Sequence, residues 1–199
     1  VIKTMNLKYS YWVFDKYLSK KDCTKIRKLG TNLQKAKVDG YEYSSIRNSE
    51  VCFLSDPFIY KLLHPCLNTA NKSAGWNFEV DYSESCQFTS YKKNQTYDWH
   101  TDTIPGQFKQ DDNKNFKNKI RKLSMSVNLS DSKDFKGGDL EFYVPNPRKS
   151  FEECVIKSPE MKNQGSVIVF PSFLFHRVKP VTQGRRFSLV MWTLGKDFK

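Results

Sequence analysis

The hydrophobic pattern of the chain changes near Trp76, and this change limits the folds that the sequence can adopt. From there onward, short runs of alternating, β-branched and aromatic residues are separated by segments rich in Gly, Pro, Asn and Asp, as in strands joined by turns. The runs are WNFEV, CQFTSY, LSMSVNLS, DLEFYV, SVIVF and RRFSLVMWTL. Every second residue of LSMSVNLS is apolar, so the strand has two distinct faces. One face carries Leu123, Met125, Val127 and Leu129, and the other carries Ser124, Ser126 and Asn128.

The first third of the chain is predicted to be helical. In LSKKDCTKIRKLGTNLQKAKV, Ser19 is a candidate N-cap with Asp22 three residues later. Apolar residues then follow at helical spacing, namely Cys23, Ile26, Leu29 and Leu33. In SDPFIYKLLHPCLNTANK, Ser55 is predicted to cap a second helix, with Pro57 in its first turn and Pro65 interrupting it. Helices followed by six or more strands predict an α+β domain built on a sandwich or jelly roll.

Length, charge and cysteine usage restrict the class of protein. A chain of 199 residues is long enough for one domain with a substantial core. No stretch approaches the ~18 apolar residues of a membrane span, and the first ten residues lack a secretory signal, so we expect a soluble, cytoplasmic protein. Five scattered cysteines without a C-x-x-C pair indicate reduced thiols. The net charge of +12 would suit a nucleic-acid partner, but its lysines are spread along the chain, which fits a general compositional bias equally well.

The segment YDWHTDT, residues 97–103, places a histidine and an aspartate two positions apart. On a strand, residues i and i+2 point the same way, so His100 and Asp102 would present an imidazole and a carboxylate to one point. On a helix they would diverge by about 200°. The pair is therefore a candidate metal-binding motif at a strand end. A surface turn with a hydrogen-bonded histidine is the alternative interpretation.

A second histidine extends this candidate site. His176 follows the apolar run VIVFPSFLF, where a buried imidazole would need a polar partner, and a metal is one such partner. With His100 and Asp102 it makes two imidazoles and one carboxylate, a set that leaves about three open positions on an octahedral metal, as in non-haem Fe(II) oxygenases. The third histidine, His64 in KLLHPCL, is interpreted as a helix-packing residue.

Such an iron usually draws electrons from 2-oxoglutarate, whose far carboxylate requires a fixed cation. In the strand RRFSLVMW, Arg186, Ser188 and Trp192 share one face with Val190, while Arg185 points away. Arg186 and Ser188 are therefore positioned to grip a carboxylate from one side. Without the histidines, the same two arginines would be explained as an exposed basic strand end.

These segments together resemble a known family. YKKNQTYDWHTD resembles the Y-x-x-G-x-x-Y-x-x-H-x-D signature of the prolyl 4-hydroxylase-like branch of the 2-oxoglutarate- and Fe(II)-dependent dioxygenases. HRVKPVTQGRR resembles its second half, H-x-V-x-P-V-x-x-G-x-R/K, and FKGGDLEF its Gly-Gly strand. VFDKYLSKKDCTKI resembles the opening segment, so the likeness runs from about residue 12 to 193. Asn94 stands where the family usually has Gly, and because Asn tolerates a left-handed backbone, the turn is expected to survive.

The resemblance implies a fold and an organisation of the chain. The core would be a double-stranded β-helix, or jelly roll, with the N-terminal helices packed on one sheet. The whole chain, residues 1–199, would form a single domain, with a helical part at about 15–72 and the jelly-roll core at about 76–194.

The resemblance also implies roles for individual residues. His100, Asp102 and His176 would hold Fe(II), Arg186 would pair with the distal carboxylate of 2-oxoglutarate, and Tyr91 would donate a hydrogen bond to this cosubstrate. Ser188 and Trp192 would line the cavity. An ordinary strand aromatic is the alternative for Tyr91. Ascorbate is implied as a reductant for uncoupled turnovers.

The resemblance suggests a substrate class with less precision. The polar, lysine-rich segment DTIPGQFKQDDNKNFKNKIRKL lacks periodicity and is predicted to be a mobile loop beside the site entrance. In the family such loops clasp peptides, so a peptidyl proline is the first candidate. The alternatives are an alkylated nucleic-acid base, a free amino acid, and a non-enzymatic β-sandwich module in which the three ligands coincide by chance. The oligomeric state is not determined by the sequence.

Overall fold

A computed structural model describes residues 8–37, 46–104, 106, 108–109 and 111–198, and these ranges contain two α-helices and fifteen strands. The helices are α1 (Lys20–Leu29) and α2 (Pro57–Ser73). The strands are β1 (Trp12–Phe14), β2 (Gln34–Lys35), β3 (Arg47–Asn48), β4 (Glu50–Leu54), β5 (Tyr82–Ser83), β6 (Cys86–Tyr91), β7 (Thr96–His100), β8 (Lys119–Asn128), β9 (Phe135–Gly137), β10 (Leu140–Tyr143), β11 (Val155–Lys157), β12 (Val167–Pro171), β13 (His176–Val178), β14 (Val181–Gly184) and β15 (Arg186–Lys196).

The strands form three antiparallel sheets. The largest has eight strands in the order β1-β12-β8-β15-β6-β4-β2, with β5 pairing with β15 beside this path. The second has five strands in the order β11-β10-β13-β7-β3, and β14 and β9 form a two-stranded ribbon. β8 and β15 are the two longest strands and lie side by side, from Ser188 opposite Asn128 to Lys196 opposite Lys119. The chain is therefore mostly β-sheet, with two helices.

The two faces of β8 are both buried, for different reasons. Its apolar residues, with those of β15, pack against Ile26 of α1 and Ile59 of α2 in the main hydrophobic core. Its polar face is buried as well, since Ser124 and Asn128 have no exposed surface. Residues of the large sheet and of the five-stranded sheet line one cavity, so this polar face looks toward the smaller sheet. The predicted alternation is confirmed, and it separates a core face from a site face.

Helix α1 begins as predicted but ends earlier. The Ser19 hydroxyl accepts a hydrogen bond from the Asp22 N–H, which satisfies one of the unpaired donors of the first turn. The helix ends at Leu29, so the inclusion of Leu33 in it was wrong. At Gly30 a Cβ atom would lie 2.5 Å from the Phe88 ring, so the chain passes too close to the sheet for a side chain, and β2 follows shortly afterwards.

Helix α2 differs from the prediction at its start and in its middle. Asp56, not Ser55, is the N-cap, because its Oδ1 accepts from the Phe58 N–H at 2.8 Å while the Ser55 hydroxyl bonds Ser85. Pro65 does not interrupt the helix. It lies on the exposed face, where solvent can bond the carbonyl that the proline leaves free, while Leu63 and the other inward residues stay packed. Neither helix in the described ranges is long and apolar enough to cross a membrane.

Tertiary contacts override two further predictions. WNFEV, residues 76–80, is not a strand, because the Asn71 side chain of α2 both donates to and accepts from the Phe78 backbone, at 2.9 Å each. The first third is not purely helical either, since it contains β1 to β4. β1 and β4 extend the large sheet by pairing with β12 and β6, which supplies the hydrogen bonds that these short segments lack alone.

Part of the segment between β7 and β8 is held by aromatic contacts. Phe108 is buried and packs edge-on against Phe116 at 5.0 Å, and Phe116 packs against Tyr82 of β5. The Asn118 N–H also donates to the Phe108 carbonyl at 3.1 Å. The polar composition of the segment did not indicate these anchors. Residues 105, 107 and 110 lie outside the described residues, and the mobility of the loop stays a prediction.

Candidate metal and cosubstrate site

Neighbouring strands bring the two predicted histidines together. β7 ends at His100 and β13 begins at His176, and the register places these residues directly opposite each other. Their ring centroids lie 4.2 Å apart. Asp102 follows just beyond the end of β7, where its N–H donates to the Ser172 carbonyl at 2.8 Å. The adjacent ends of β7 and β13 thus present both imidazoles and the carboxylate to one region.

The donor atoms of His100, Asp102 and His176 converge. All three lie within 4.8 Å of one another, and no other such group of three or more occurs among the described His, Cys, Asp and Glu residues. Nε2 of His100 is 3.7 Å from Asp102 Oδ1, and Nε2 of His176 is 3.6 Å from Asp102 Oδ2. Donors at these separations can reach one ion from three sides.

Backbone carbonyls fix the tautomer of both imidazoles. Nδ1 of His100 lies 2.7 Å from the Asp98 carbonyl, and Nδ1 of His176 lies 2.8 Å from the Leu174 carbonyl. A carbonyl only accepts, so each Nδ1 must carry the hydrogen, and in the neutral ring each Nε2 then has a free lone pair. These lone pairs belong to the nitrogens nearest Asp102. Metal-ligating histidines commonly donate their other ring N–H to a carbonyl in this way.

The protonation states suit the same chemistry. Burial, together with neighbouring His176, lowers the pKa of His100 to about 3, although the Asp102 charge acts in the opposite direction. His100 is therefore neutral at physiological pH. Burial by itself would raise the pKa of Asp102, but His176, His100, Arg121 and the Ser124 hydroxyl lower it overall. The site thus offers a neutral imidazole and an ionised carboxylate, the forms that bind metals.

Two serines support the aspartate, and sequence reasoning missed both. The Ser124 hydroxyl donates to Asp102 Oδ2 at 2.7 Å and lies 2.9 Å from the Ser172 hydroxyl. Both serines are fully buried. The available signal was the polar face of β8, where a serine among core residues needs a partner.

Replacement of Ser124 by alanine is expected to weaken metal binding by roughly 10–100-fold, because the Asp102 carboxylate loses the bond that orients it. Anaerobic titration with Fe(II) measures this effect. Ser158→Ala is the control, since Ser158 is also buried but bonds Glu160 instead. Equal affinities in Ser124→Ala and the control would show that this bond does not orient the ligand.

A buried cation lies in the same cavity. Arg186 is 1% exposed, and its Nη1 has no hydrogen-bond partner. It stands opposite Tyr91 across the β15–β6 pair, with its guanidinium 5.7 Å from the centre of the tyrosine ring. Burial lowers the pKa of Arg186, yet a guanidinium stays charged at neutral pH. A buried charge with a free donor is costly unless an anion completes it.

The predicted site residues share this cavity. Its lining includes His100, Asp102, His176, Arg186, Tyr91 and Ser188. Val190 and Trp192 line it from the same face of β15, as the alternation predicted. Asn94 has the expected left-handed backbone, with φ of 66°.

The Gly-Gly segment makes room for the Arg186 side chain. Gly138 has φ of +63°, and a Cβ there would lie 2.9 Å from Cδ of Arg186 and 3.1 Å from Val181. A side chain at this position would displace the guanidinium.

Gly138→Ala is therefore expected to weaken binding of 2-oxoglutarate by about tenfold or more, and to destabilise the protein by ~1–2 kcal/mol through its positive φ. Calorimetric titration and thermal unfolding measure the two effects. Gly106→Ala is a matched control, because Gly106 has φ of +76° but nothing within 4 Å of the added Cβ. If both variants lose the same affinity, the contact with Arg186 is irrelevant to binding.

Tyr97 and Arg47 shape the site in ways that the sequence did not reveal. The Tyr97 ring stacks on His100 at 3.5 Å, nearly parallel at 10°. The Arg47 guanidinium lies 4.5 Å from the Tyr97 ring centre, and its buried Nη2 has no hydrogen-bond partner. Tyr97 is a spacing residue of the motif, and Arg47 lies between the two predicted helices, in a segment for which the sequence predicts no element. The stack helps to fix the orientation of the His100 ring.

Three residues lie outside the site, and for Arg185 this was predicted. Arg185 points away from the cavity and bonds Ser90 and Glu50. Trp99 packs against Phe175, with ring centres 5.3 Å apart. His64 is exposed and bonds the Ser83 hydroxyl at 3.0 Å, so its interpretation as a helix-packing residue was wrong. It lies on the outer face of α2, where helix periodicity leaves it in solvent.

The chain also matches the model of a known protein superfamily. The model of the 2OG-Fe(II) oxygenase superfamily matches residues 86–194, which is more than half of the 199 residues. The chain belongs to this superfamily. The matched range begins at β6 and ends within β15, so it contains His100, Asp102, His176 and Arg186.

Curated relatives of the chain are hydroxylases that it matches only in part. A PKHD-type hydroxylase of Alteromonas mediterranea is 32% identical over 110 residues, which cover 53% of this chain and 41% of that protein. A PKHD-type hydroxylase of Hyphomonas neptunium is 38% identical over 71 residues, which cover 35% of this chain and 27% of that protein. The chain therefore spans less than half the length of these relatives.

Solved structures share the fold over nearly the whole chain. A viral collagen prolyl hydroxylase from Paramecium Bursaria Chlorella virus-1, in a 2OG complex, has a TM-score of 0.65 at 19% identity and covers 94% of this chain and 97% of its own. A Pseudomonas putida prolyl-4-hydroxylase has a TM-score of 0.64 at 17% identity, with 95% and 94% covered. A prolyl hydroxylase from Trichoplax adhaerens, in complex with a hypoxia inducible factor peptide fragment, has a TM-score of 0.64 at 17% identity, with 92% and 83% covered.

The site fits the cofactors that the superfamily implies. Two imidazole nitrogens and one carboxylate, with both Nδ1 atoms tied to carbonyls, are suited to a divalent first-row metal such as Fe(II). The unpaired Nη1 of Arg186 is suited to the carboxylate of 2-oxoglutarate.

Proposed function

We propose that this chain is a 2-oxoglutarate- and Fe(II)-dependent dioxygenase that hydroxylates an unactivated C–H bond, with a peptidyl proline as its substrate. One observation carries the proposal. A triad of metal-binding side chains and a buried guanidinium with a free donor line the same cavity. A purely structural metal site would need the triad but not the guanidinium. A cosubstrate that binds the metal at one end and a cation at the other needs both.

In this proposal His100, Asp102 and His176 would hold Fe(II), since two imidazoles and one carboxylate suit this metal. Bound Fe(II) and 2-oxoglutarate together supply the oxidising power for C–H hydroxylation, with succinate and carbon dioxide as coproducts. The chain's own residues orient the ligands. Ser124 holds Asp102, and Tyr97 stacks on His100, so the three donors keep one geometry.

Arg186 binds the distal carboxylate of 2-oxoglutarate through its unpaired Nη1, in keeping with its position in the cavity. Tyr91 and Ser188 add hydrogen bonds from the neighbouring positions of β6 and β15. Burial raises the pKa of Tyr91, so its hydroxyl keeps its hydrogen and can donate. Ascorbate is proposed as a reductant for uncoupled turnovers.

The fold proposal follows the sheet order. We propose that the eight- and five-stranded sheets form a jelly-roll, or double-stranded β-helix, core at about residues 76–194, with the helical part at about 15–72 packed on one sheet. Residues 1–199 then constitute a single dioxygenase domain. The superfamily match and the TM-scores to prolyl hydroxylases support this assignment.

The substrate proposal has separate support. Prolyl hydroxylases recur among the structural neighbours, and one of them was solved with a peptide fragment. A base demethylase or a free amino-acid hydroxylase would use the same metal chemistry, so the cavity alone does not favour one substrate class.

The experiment measures succinate formation from 2-oxoglutarate with and without Fe(II), using proline-containing peptides, free amino acids and methylated oligonucleotides in parallel. We expect iron-dependent turnover that proline peptides stimulate, with a mass gain of one oxygen on the peptide. If only oligonucleotides or only free amino acids stimulate turnover, that class would replace peptidyl proline as the proposed substrate. Absence of both iron binding and turnover would favour a non-enzymatic module.

A further inference from the structure

The carboxylate of Asp139 does not pair with Arg186 in the described part of the chain. Asp139 directly follows Gly138, whose backbone packs on the Arg186 side chain; a Cβ on Gly138 would lie 3.8 Å from Nε of Arg186. Burial lowers the pKa of Arg186, while Tyr91 and Asp139 act against this effect, so the Asp139 charge reaches the guanidinium. Within the described part of the chain, Arg186 nevertheless forms no ion pair, and its Nη1 is free.

Lys162 forms an ion pair with this carboxylate instead. Its Nζ lies 2.8 Å from Oδ1 of Asp139 and also donates to the Gly137 carbonyl. The lysine and aspartate side chains are each 34% exposed. A single ammonium group therefore ties together the two residues that flank Gly138.

The backbone of Lys162 is fixed from the core. Lys162 ends the 3₁₀ turn Pro159–Lys162, and its carbonyl accepts a hydrogen bond from Nδ2 of Asn128 at 3.1 Å. Asn128 is fully buried on β8 and donates to the Ser130 and Asn163 carbonyls as well. The lysine thus extends from a rigid point toward Asp139.

We propose that Lys162 is a positioning residue that holds the Asp139 carboxylate away from Arg186 and so keeps the guanidinium available to the carboxylate of 2-oxoglutarate. The inference rests on the proposed function. A partly exposed ion pair contributes little to stability, whereas a buried unpaired cation strongly favours any anion within reach. Without Lys162, Asp139 is the anion that competes with the cosubstrate.

The test compares Lys162→Met with the double variant Lys162→Met/Asp139→Asn. Calorimetric titration of 2-oxoglutarate into anaerobic, Mn(II)-loaded protein measures the dissociation constant without turnover. We expect Lys162→Met to raise this constant at least fivefold, and the double variant to return to within twofold of the parent protein. Lys162→Arg should bind as the parent does, because it keeps the cation.

Lys157→Met is the matched control. Lys157 pairs with Glu141 at 3.6 Å on the neighbouring strand, and Glu141 keeps Arg177 as a second partner. This control should leave 2-oxoglutarate binding unchanged. If the double variant binds as weakly as Lys162→Met, the lysine acts only through the Gly137 carbonyl, and the inference is wrong.

A crystal structure of Lys162→Met separates this inference from the proposed function. The expected result is a new ion pair between Asp139 and Arg186, with an oxygen–nitrogen distance below 4 Å, whether or not the protein binds 2-oxoglutarate. Asp139 unmoved in that structure would overturn the inference. Failure of the parent protein to bind 2-oxoglutarate would instead overturn the proposed function.

Discussion

The His176→Ala variant is expected to lose Fe(II) retention and turnover together. Removal of hydrogen-bonding partners around a metal site typically costs 10–100-fold in affinity, so loss of one of three ligands should cost more than about 100-fold. His176 also packs against Phe170 at 4.7 Å, so the variant leaves a small cavity. His176→Gln keeps more of this volume and should lose iron to a similar extent. Iron retained after anaerobic dialysis and succinate formed per enzyme measure the effect.

His64→Ala is the control for this experiment. His64 is exposed on α2 and bonds the Ser83 hydroxyl outside the site cavity, so its removal tests whether any histidine loss lowers the iron content. We expect parental iron content and turnover in this variant. Full iron retention in His176→Ala would mean that the three converging donors do not bind the metal.

The Arg186→Met variant is expected to change cosubstrate affinity and stability in opposite directions. Loss of a buried charge that pairs with a ligand typically costs ~2–5 kcal/mol, which corresponds to at least about 30-fold in the 2-oxoglutarate dissociation constant. The ligand-free protein should be as stable as the parent or more stable, because methionine fills the space without an unpaired buried charge.

Thermal unfolding with and without 2-oxoglutarate measures both effects. A ligand present at 100 times its dissociation constant stabilises a protein by about 2.7 kcal/mol, so the parent melting temperature should rise, and that of Arg186→Met should rise much less at the same concentration. Arg185→Met is the control, since Arg185 directly precedes Arg186 in the chain but lies outside the cavity. Equal 2-oxoglutarate affinity in Arg186→Met and the parent would remove Arg186 from the cosubstrate site.

Several features of the fold could be predicted because they depend on near neighbours in the sequence. The alternation along β8 and β15 separates two faces regardless of what each face meets. The Ser19 cap and the left-handed Asn94 are decided by one or two hydrogen bonds or by one backbone angle. The errors at residues 76–80 and at Pro65 have the opposite origin. There, a side chain from another element or exposure on one helix face decided the outcome.

The residues with metal-binding and carboxylate-binding chemistry could be recognised without the fold, since side-chain identity and period-two spacing are local properties. The folded chain was needed to show that His176 lies opposite His100, that Ser124 bonds Asp102, and that Lys162 rather than Arg186 pairs with Asp139. These contacts join segments that are far apart in the chain. Their register is set by sheet pairing and core packing over many residues, which no short motif contains.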